Sequence, residues 1–127
     1  MSQWPGSISA ITVFADDLPT ARRFYTEVFG LPVVFEDEES TVFRFDNTLV
    51  NLLATNAAAE VIAPAMAARP GDGARVQLTI TVDDVDVMCA ELARRGVELL
   101  NWPVDRPWGI RTASFRDPAG LIWEIAH

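Results

Sequence analysis

The sequence predicts an α+β chain in which one βαβββ module is written twice. Two observations carry this. A capping aspartate, an amphipathic helix and a closing glycine occur as Asp17-Leu18 with Gly30 thirteen residues beyond Asp17. They recur as Asp84-Val85 with Gly96 twelve residues beyond Asp84. Each unit also has one strand candidate before the helix and three after it. One helix cannot cover both faces of a four-stranded sheet, so the two modules must share a surface.

Ser7–Phe14 is β-branched and apolar and reads as the first strand. Asp16 and Asp17 offer an N-cap, and Pro19 sits in the first turn, where its missing N–H costs little. Leu18, Ala21, Tyr25, Val28 and Phe29 repeat at helical spacing until Gly30 and Pro32 stop the helix. Strands are expected at Pro32–Glu36, Thr41–Phe45 and Leu49–Ala54. The alanine-rich stretch from Asn56, with room for a short helix at Ala63–Ala68, ends in Arg69-Pro70-Gly71-Asp72-Gly73 and reads as a connector. The second module then brings a strand at Val76–Val82, a helix with the stripe Val85, Met88, Cys89, Leu92 and Ala93, and a strand at Val97–Leu100. A Trp/Pro loop follows, and then strands at Arg111–Arg116 and Leu121–Ala126 paired across Asp117-Pro118-Ala119-Gly120. The expected layout is a single domain over 1–127. Module 1 covers about 7–55, the connector about 56–74 and module 2 about 75–127.

Composition narrows the function classes. A net charge of −8, with ten arginines and no lysine scattered among eighteen acids, argues against a nucleic-acid partner. The single cysteine, Cys89, cannot close a bridge within the chain, and no apolar run approaches the roughly 20 residues of a membrane span. A cytoplasmic protein with no membrane partner is expected. A lone terminal histidine, His127, leaves no Ser-His-Asp or Cys-His constellation, and no Gly-rich phosphate loop is present.

Strand alternation then sorts the faces. Val76, Leu78, Ile80 and Val82 should pack under a helix, leaving Gln77, Thr79 and Thr81 on the concave face. Leu121, Trp123 and Ile125 face the helix; Ile122, Glu124 and Ala126 do not. Ala10, Thr12 and Phe14, with Leu49, Asn51 and Leu53, complete the inward set.

Three segments carry a family resemblance: Asp17-Leu18-Pro19-Thr20-Ala21-Arg22-Arg23-Phe24-Tyr25 through Gly30-Leu31; Thr81-Val82-Asp83-Asp84-Val85; and Arg116-Asp117-Pro118-Ala119-Gly120-Leu121-Ile122-Trp123-Glu124. In this order the chain resembles the vicinal oxygen chelate superfamily, which includes glyoxalases, extradiol dioxygenases and the bleomycin-resistance proteins. The resemblance implies sheets curled around a cleft. In metal-dependent members it also implies one ligand on each of four strands, at positions that fall here on Ala10, Asn51, Gln77 and Glu124. Only Gln77 and Glu124 remain as remnants of that set, and two amides, a carboxylate and a methyl group do not meet a transition metal's need for three good donors.

The segment Pro107-Trp108-Gly109-Ile110-Arg111 is similar to the bleomycin-resistance branch. That likeness implies a small-molecule binding protein that does no chemistry on its ligand. It would be a homodimer sequestering a planar or cationic molecule, with no cofactor. The expected ligand-binding residues are Phe14, Asn51, Leu53, Gln77, Thr79, Trp102, Trp108 and Glu124. The alternative is a metal-dependent lyase, isomerase or dioxygenase of glyoxalase type, keeping Gln77 and Glu124 as ligands of a divalent metal and drawing the rest from a partner or water. Cys89 and Trp123 are expected in the core, and Arg111 is expected to pair with Asp105 or with a ligand carboxylate.

Overall fold

A computed structural model describes residues 3–127. The first module runs β1 (Ala10–Ala15), α1 (Leu18–Val28), β2 (Val33–Glu36), β3 (Ser40–Phe45) and β4 (Thr48–Ala54). A 3₁₀ turn (Thr55–Ala57) and the short α2 (Ala59–Ile62) lead into the connector. The second module repeats the order with β5 (Gln77–Thr81), α3 (Val85–Arg94), β6 (Leu99–Asp105), β7 (Arg111–Arg116) and β8 (Ile122–Ala126). The sheets have equivalent strand orders, β1-β4-β3-β2 and β5-β8-β7-β6, each with one parallel pair at the first strand. No helix among the described residues is long and apolar enough to cross a membrane.

The duplicated cap is present twice in atomic detail. The Asp17 carboxylate accepts from the Thr20 N–H at 3.1 Å, and the Asp84 carboxylate accepts from Val87 N–H at 3.1 Å. Each satisfies one of the N–H groups a helix start leaves unpaired. From α1, Leu18, Ala21, Tyr25 and Val28 are buried; from α3, Val85, Cys89 and Leu92. Gly30 follows α1 at φ +63°, a backbone that any side chain would strain.

Three elements differ from the sequence reading. The first strand begins at Ala10 rather than Ser7, because pairing with β4 starts at Ala10 opposite Leu49. The connector helix lies at Ala59–Ile62, not Ala63–Ala68. Pro64 explains this, since its ring drives the preceding residue out of the helical region, and Ala63 has ψ 141°. The Trp/Pro loop is largely strand: β6 carries the ladder through Asn101-Trp102-Pro103 to Asp105, with register shifts on both sides of Asn101. It tolerates Pro103 because it is an edge strand.

The helix-side faces of both modules merge into one core. Phe45 of β3 stacks on Trp123 of β8 with centroids 5.5 Å apart, and Phe29 lies 4.8 Å from the same indole. Phe24 from α1 reaches Phe115 of β7 at 6.3 Å. A polar pin crosses this junction. The buried Tyr25 hydroxyl donates to the Asp117 carboxylate at 2.6 Å and accepts from Trp123 Nε1 at 3.1 Å. Asp117 also accepts from the Ala119 and Leu121 N–H groups, so the Asp-Pro-x-Gly turn is tied to the first helix of the other module. Because both helix-side faces are used in this junction, the two concave faces look away from it. Each is open on its own side of the chain.

Candidate functional site

On the first concave face, Phe14 stands opposite Leu53 and Thr12 opposite Asn51 across the parallel β1–β4 pair. Asn51 Oδ1 is buried and has no hydrogen-bond partner. A buried acceptor left unpaired costs free energy, so this oxygen needs a donor, from water or from a ligand.

On the second face, Asn101, Ser114, Glu124 and Thr79 form one row across the four strands. Thr79 Oγ1 donates to Glu124 Oε1 at 2.9 Å. Ser114 is buried beside them, and Asn101 Oδ1 is a second buried acceptor without a partner. Gln77 is exposed at the start of β5, two residues along the same face. Arg106 folds back from the β6–β7 turn and donates to Thr112 Oγ1 at 2.9 Å, which puts a guanidinium at the end of this face.

The pairing confirms the internal equivalence of the two sites. Asn51 opposes Thr12, five residues before the capping Asp17, and Glu124 opposes Thr79, five before Asp84. Asn51 thus occupies in module 1 the position of Glu124 in module 2.

The structure brings Thr79 and Glu124 together, with Gln77 along the same face, and separately brings Phe14, Asn51 and Leu53 together. It does not bring the two groups together within one chain. It also turns Trp102 away from both. Trp102 and Pro103 bulge opposite Ala113, a residue buried on the helix side, so Trp102 is turned toward α3. There it lines a hollow with Asp86, Cys89 and Ala90 and is 75% exposed. The bulge re-aims the side chain that simple alternation would misplace. Trp108 sits at the tip of the β6–β7 hairpin, 70% exposed, in a turn closed by Gly109 N–H donating to the Arg106 carbonyl at 3.0 Å. Trp102, expected among the ligand-binding residues, therefore lies on the other face of the sheet from Thr79 and Glu124.

Thr112, Ser114, Asn101 and Arg106 were missed as site residues. The signal was available for two of them: Ala113 and Phe115 are the core set of β7, which leaves Thr112 and Ser114 on the concave face. Arg111 proves structural, donating to Asp86 through Nε at 2.8 Å and to Asp105 at 3.0 Å. That guanidinium's hydrogen bonds hold the Asp86 carboxyl below its usual range. His127 is engaged elsewhere, its Nδ1 accepting from the Val85 N–H at 2.8 Å at the start of α3.

The donor set does not fit the divalent metal that the resemblance implies for metal-dependent members. Ala10 offers no donor atom, Asn51 and Gln77 offer amides, and one oxygen of Glu124 is already hydrogen-bonded to Thr79. Among the described residues no three His, Cys, Asp or Glu side chains converge. Such a set falls short of the three good ligands a divalent transition ion requires.

Comparison with known proteins agrees with this architecture. The family model described as the Glyoxalase/Bleomycin resistance protein/Dioxygenase superfamily matches residues 7–125. The Bacillus subtilis protein YraH is 32% identical over 119 residues, spanning 91% of this chain and 93% of its own length. A virulence protein of Salmonella typhimurium, STM3117, is 26% identical over 94% of this chain and 83% of its own. Among solved structures, a glyoxalase/bleomycin resistance protein/dioxygenase from Nocardioides superposes with a TM-score of 0.84 at 23% identity, covering 98% of this chain and 85% of that one. Lactoylglutathione lyase from Agrobacterium tumefaciens gives 0.77 at 24% identity, covering 96% and 93%. At such identities these two show the fold alone. With a family match over nearly the whole length and the two-module layout in place, the chain belongs to the glyoxalase/bleomycin resistance protein/dioxygenase superfamily.

Proposed function

We propose that this protein binds, without transforming, a flat ligand rich in hydrogen-bond donors, in a cleft built by two copies of the chain. One copy contributes the module 1 face with Phe14, Asn51 and Leu53. The other contributes the module 2 face with Gln77, Thr79, Ser114 and Glu124. The observation that carries the reading is the set of unsatisfied acceptors: Asn51 Oδ1 and Asn101 Oδ1 have no partners, and Glu124 has an oxygen beyond its bond to Thr79. Acceptors gathered on half-apolar faces select a ligand carrying N–H groups, and a net charge of −8 favours a cation. Phe14 supplies the aromatic surface, and Trp108 stands at the mouth. This follows the bleomycin-resistance type of function, with Trp102 removed from the contact set.

Benzamidine, a planar cation with four N–H donors, is a suitable first probe. Its titration should shift the side-chain amide resonances of Asn51 and Gln77, and Glu124→Gln should weaken binding about tenfold, the loss of one charge-assisted hydrogen bond. Shifts confined to other surfaces would overturn the proposal. So would stoichiometric zinc, nickel, manganese or iron in unchelated protein that disappears in Glu124→Ala.

A further inference from the structure

We infer that the chain has a second small-molecule site, on the opposite side of both sheets from the concave faces, which takes a compact, uncharged aromatic ligand. A cavity of about 430 Å³ opens where the two modules meet, walled by the end of α1 and β3 from one module and by β5, α3 and β8 from the other. Phe29, Phe45 and Phe115 supply three ring surfaces, and Ile80, Val82 and Ile125 complete an apolar wall. The rings already meet one another at an angle: Phe29 and Phe45 are 5.5 Å apart at 66°, and Phe29 and Phe115 are 6.1 Å apart. A flat ring can join such a cluster by edge-to-face contact.

The volume lies in the range of ligand pockets, and a junction between units is a favoured place for them. An apolar cavity offers water few partners, and it binds apolar molecules instead. The walls belong to six separate elements, β7 among them through Phe115, and they curve around the space, so a small molecule fills it where a flat protein surface could not.

The mouth decides the charge of the ligand. Glu91 and Arg95 line it and pair at 2.8 Å, and the other oxygen of Glu91 is taken by Arg94. Arg95 is further engaged by the Val28 carbonyl at the end of α1, so it spans from one module to the other beside the opening. Neither group is free to meet a counter-ion on a ligand. Asp46, also at the mouth, repels anions. Separation from the concave site is built into the strands, since Ile80 and Ile125 alternate with Thr79 and Glu124 and point to the other face.

The test uses N-phenyl-1-naphthylamine, a neutral flat probe whose fluorescence rises in apolar surroundings. Wild-type protein should bind it, and Val82→Phe, which fills the cavity, should weaken binding about tenfold or more. Thr79→Val and Glu124→Gln should leave it unchanged. The methyl resonances of Ile80 and Ile125 in wild-type protein supply an independent readout that needs no variant to fold. No binding by the wild type would overturn the inference. So would shifts centred on Thr79 and Glu124, or equal affinity for the anionic analogue 1-anilinonaphthalene-8-sulfonate.

Discussion

Replacing Tyr25 with phenylalanine removes one oxygen from the junction of the two modules. That oxygen is fully buried, donates to Asp117 at 2.6 Å and accepts from Trp123 Nε1 at 3.1 Å. A hydrogen bond to a charged group is worth about 1.5–3 kcal/mol, and leaving the indole N–H without a partner adds a penalty of similar size. Tyr25→Phe should therefore cost about 3 kcal/mol, or roughly 12 °C in Tm for a domain of this length. The pair also has an alkaline signature. Burial first, and then the Asp117 charge, raise the Tyr25 pKa above its ordinary value of 10.0. The folded chain keeps that proton where the unfolded chain releases it. The stability this provides is therefore complete below the ordinary tyrosine pKa and is lost as pH rises above it. Tyr25 is the only tyrosine in the sequence, so tyrosinate absorbance reports this one group. Raising the pH should give no tyrosinate signal until circular dichroism shows the chain unfolding. Reversible ionisation in the ordinary range with the fold intact would refute the reasoning, as would a Tyr25→Phe protein as stable as the wild type.

Four further outcomes follow from particular contacts. Phe115→Ala, at a side chain that is 1% exposed between the modules, should destabilise by about 3–5 kcal/mol in denaturant titration. Gly120→Ala should lower Tm, because φ is +94° there and an added Cβ would lie 3.0 Å from the Pro70 carbonyl oxygen; unchanged Tm would show that the connector does not pack on this turn. Arg111→Gln should flatten the acid limb of the stability profile. Asp86 has a lowered pKa, so the stability from its pair with Arg111 is present above the ordinary carboxylate value of 3.8 and is lost as pH falls. Thr79→Val should leave thermal stability nearly unchanged while altering benzamidine affinity, measured by calorimetry, because the Thr79 hydroxyl holds Glu124 in place on the face proposed to bind.

Much of the fold was legible because each module announces itself with local chemistry. Asp17 and Asp84 cap helices, Gly30 ends one, and Asp117-Pro118-Ala119-Gly120 turns a hairpin. Alternation placed Asn51, Thr79 and Glu124 on concave faces correctly, since β1, β4, β5 and β8 pair without interruption. It was not applied at Trp102, which was read as part of a loop; the segment is strand, and two register shifts in β6 break the period of two there. The helix in the connector was displaced because alanine content speaks for a helix without fixing its ends, while Pro64 does. The Tyr25–Asp117 bond joins residues 92 apart in sequence, beyond the reach of any local pattern. The arrangement of the two modules was equally hidden. It depends on which faces of two similar sheets meet, and Phe29, Phe45 and Trp123 decide that only by coming together in space.

The proposed division of the cleft between two copies can be tested without knowing the natural ligand, by installing metal donors at the four equivalent positions. One chain would carry Ala10→His, Asn51→Glu and Glu124→Ala; the other would carry Gln77→His. Neither homodimer then has more than two of the four donors in any cleft, whichever way the modules pair. If the concave faces of different copies meet, mixing the chains should produce about one tightly bound zinc per mixed dimer, seen by elemental analysis after dialysis, consistent with tetrahedral four-donor sites. Mixed dimers that form and still bind no zinc would contradict a cleft shared between copies.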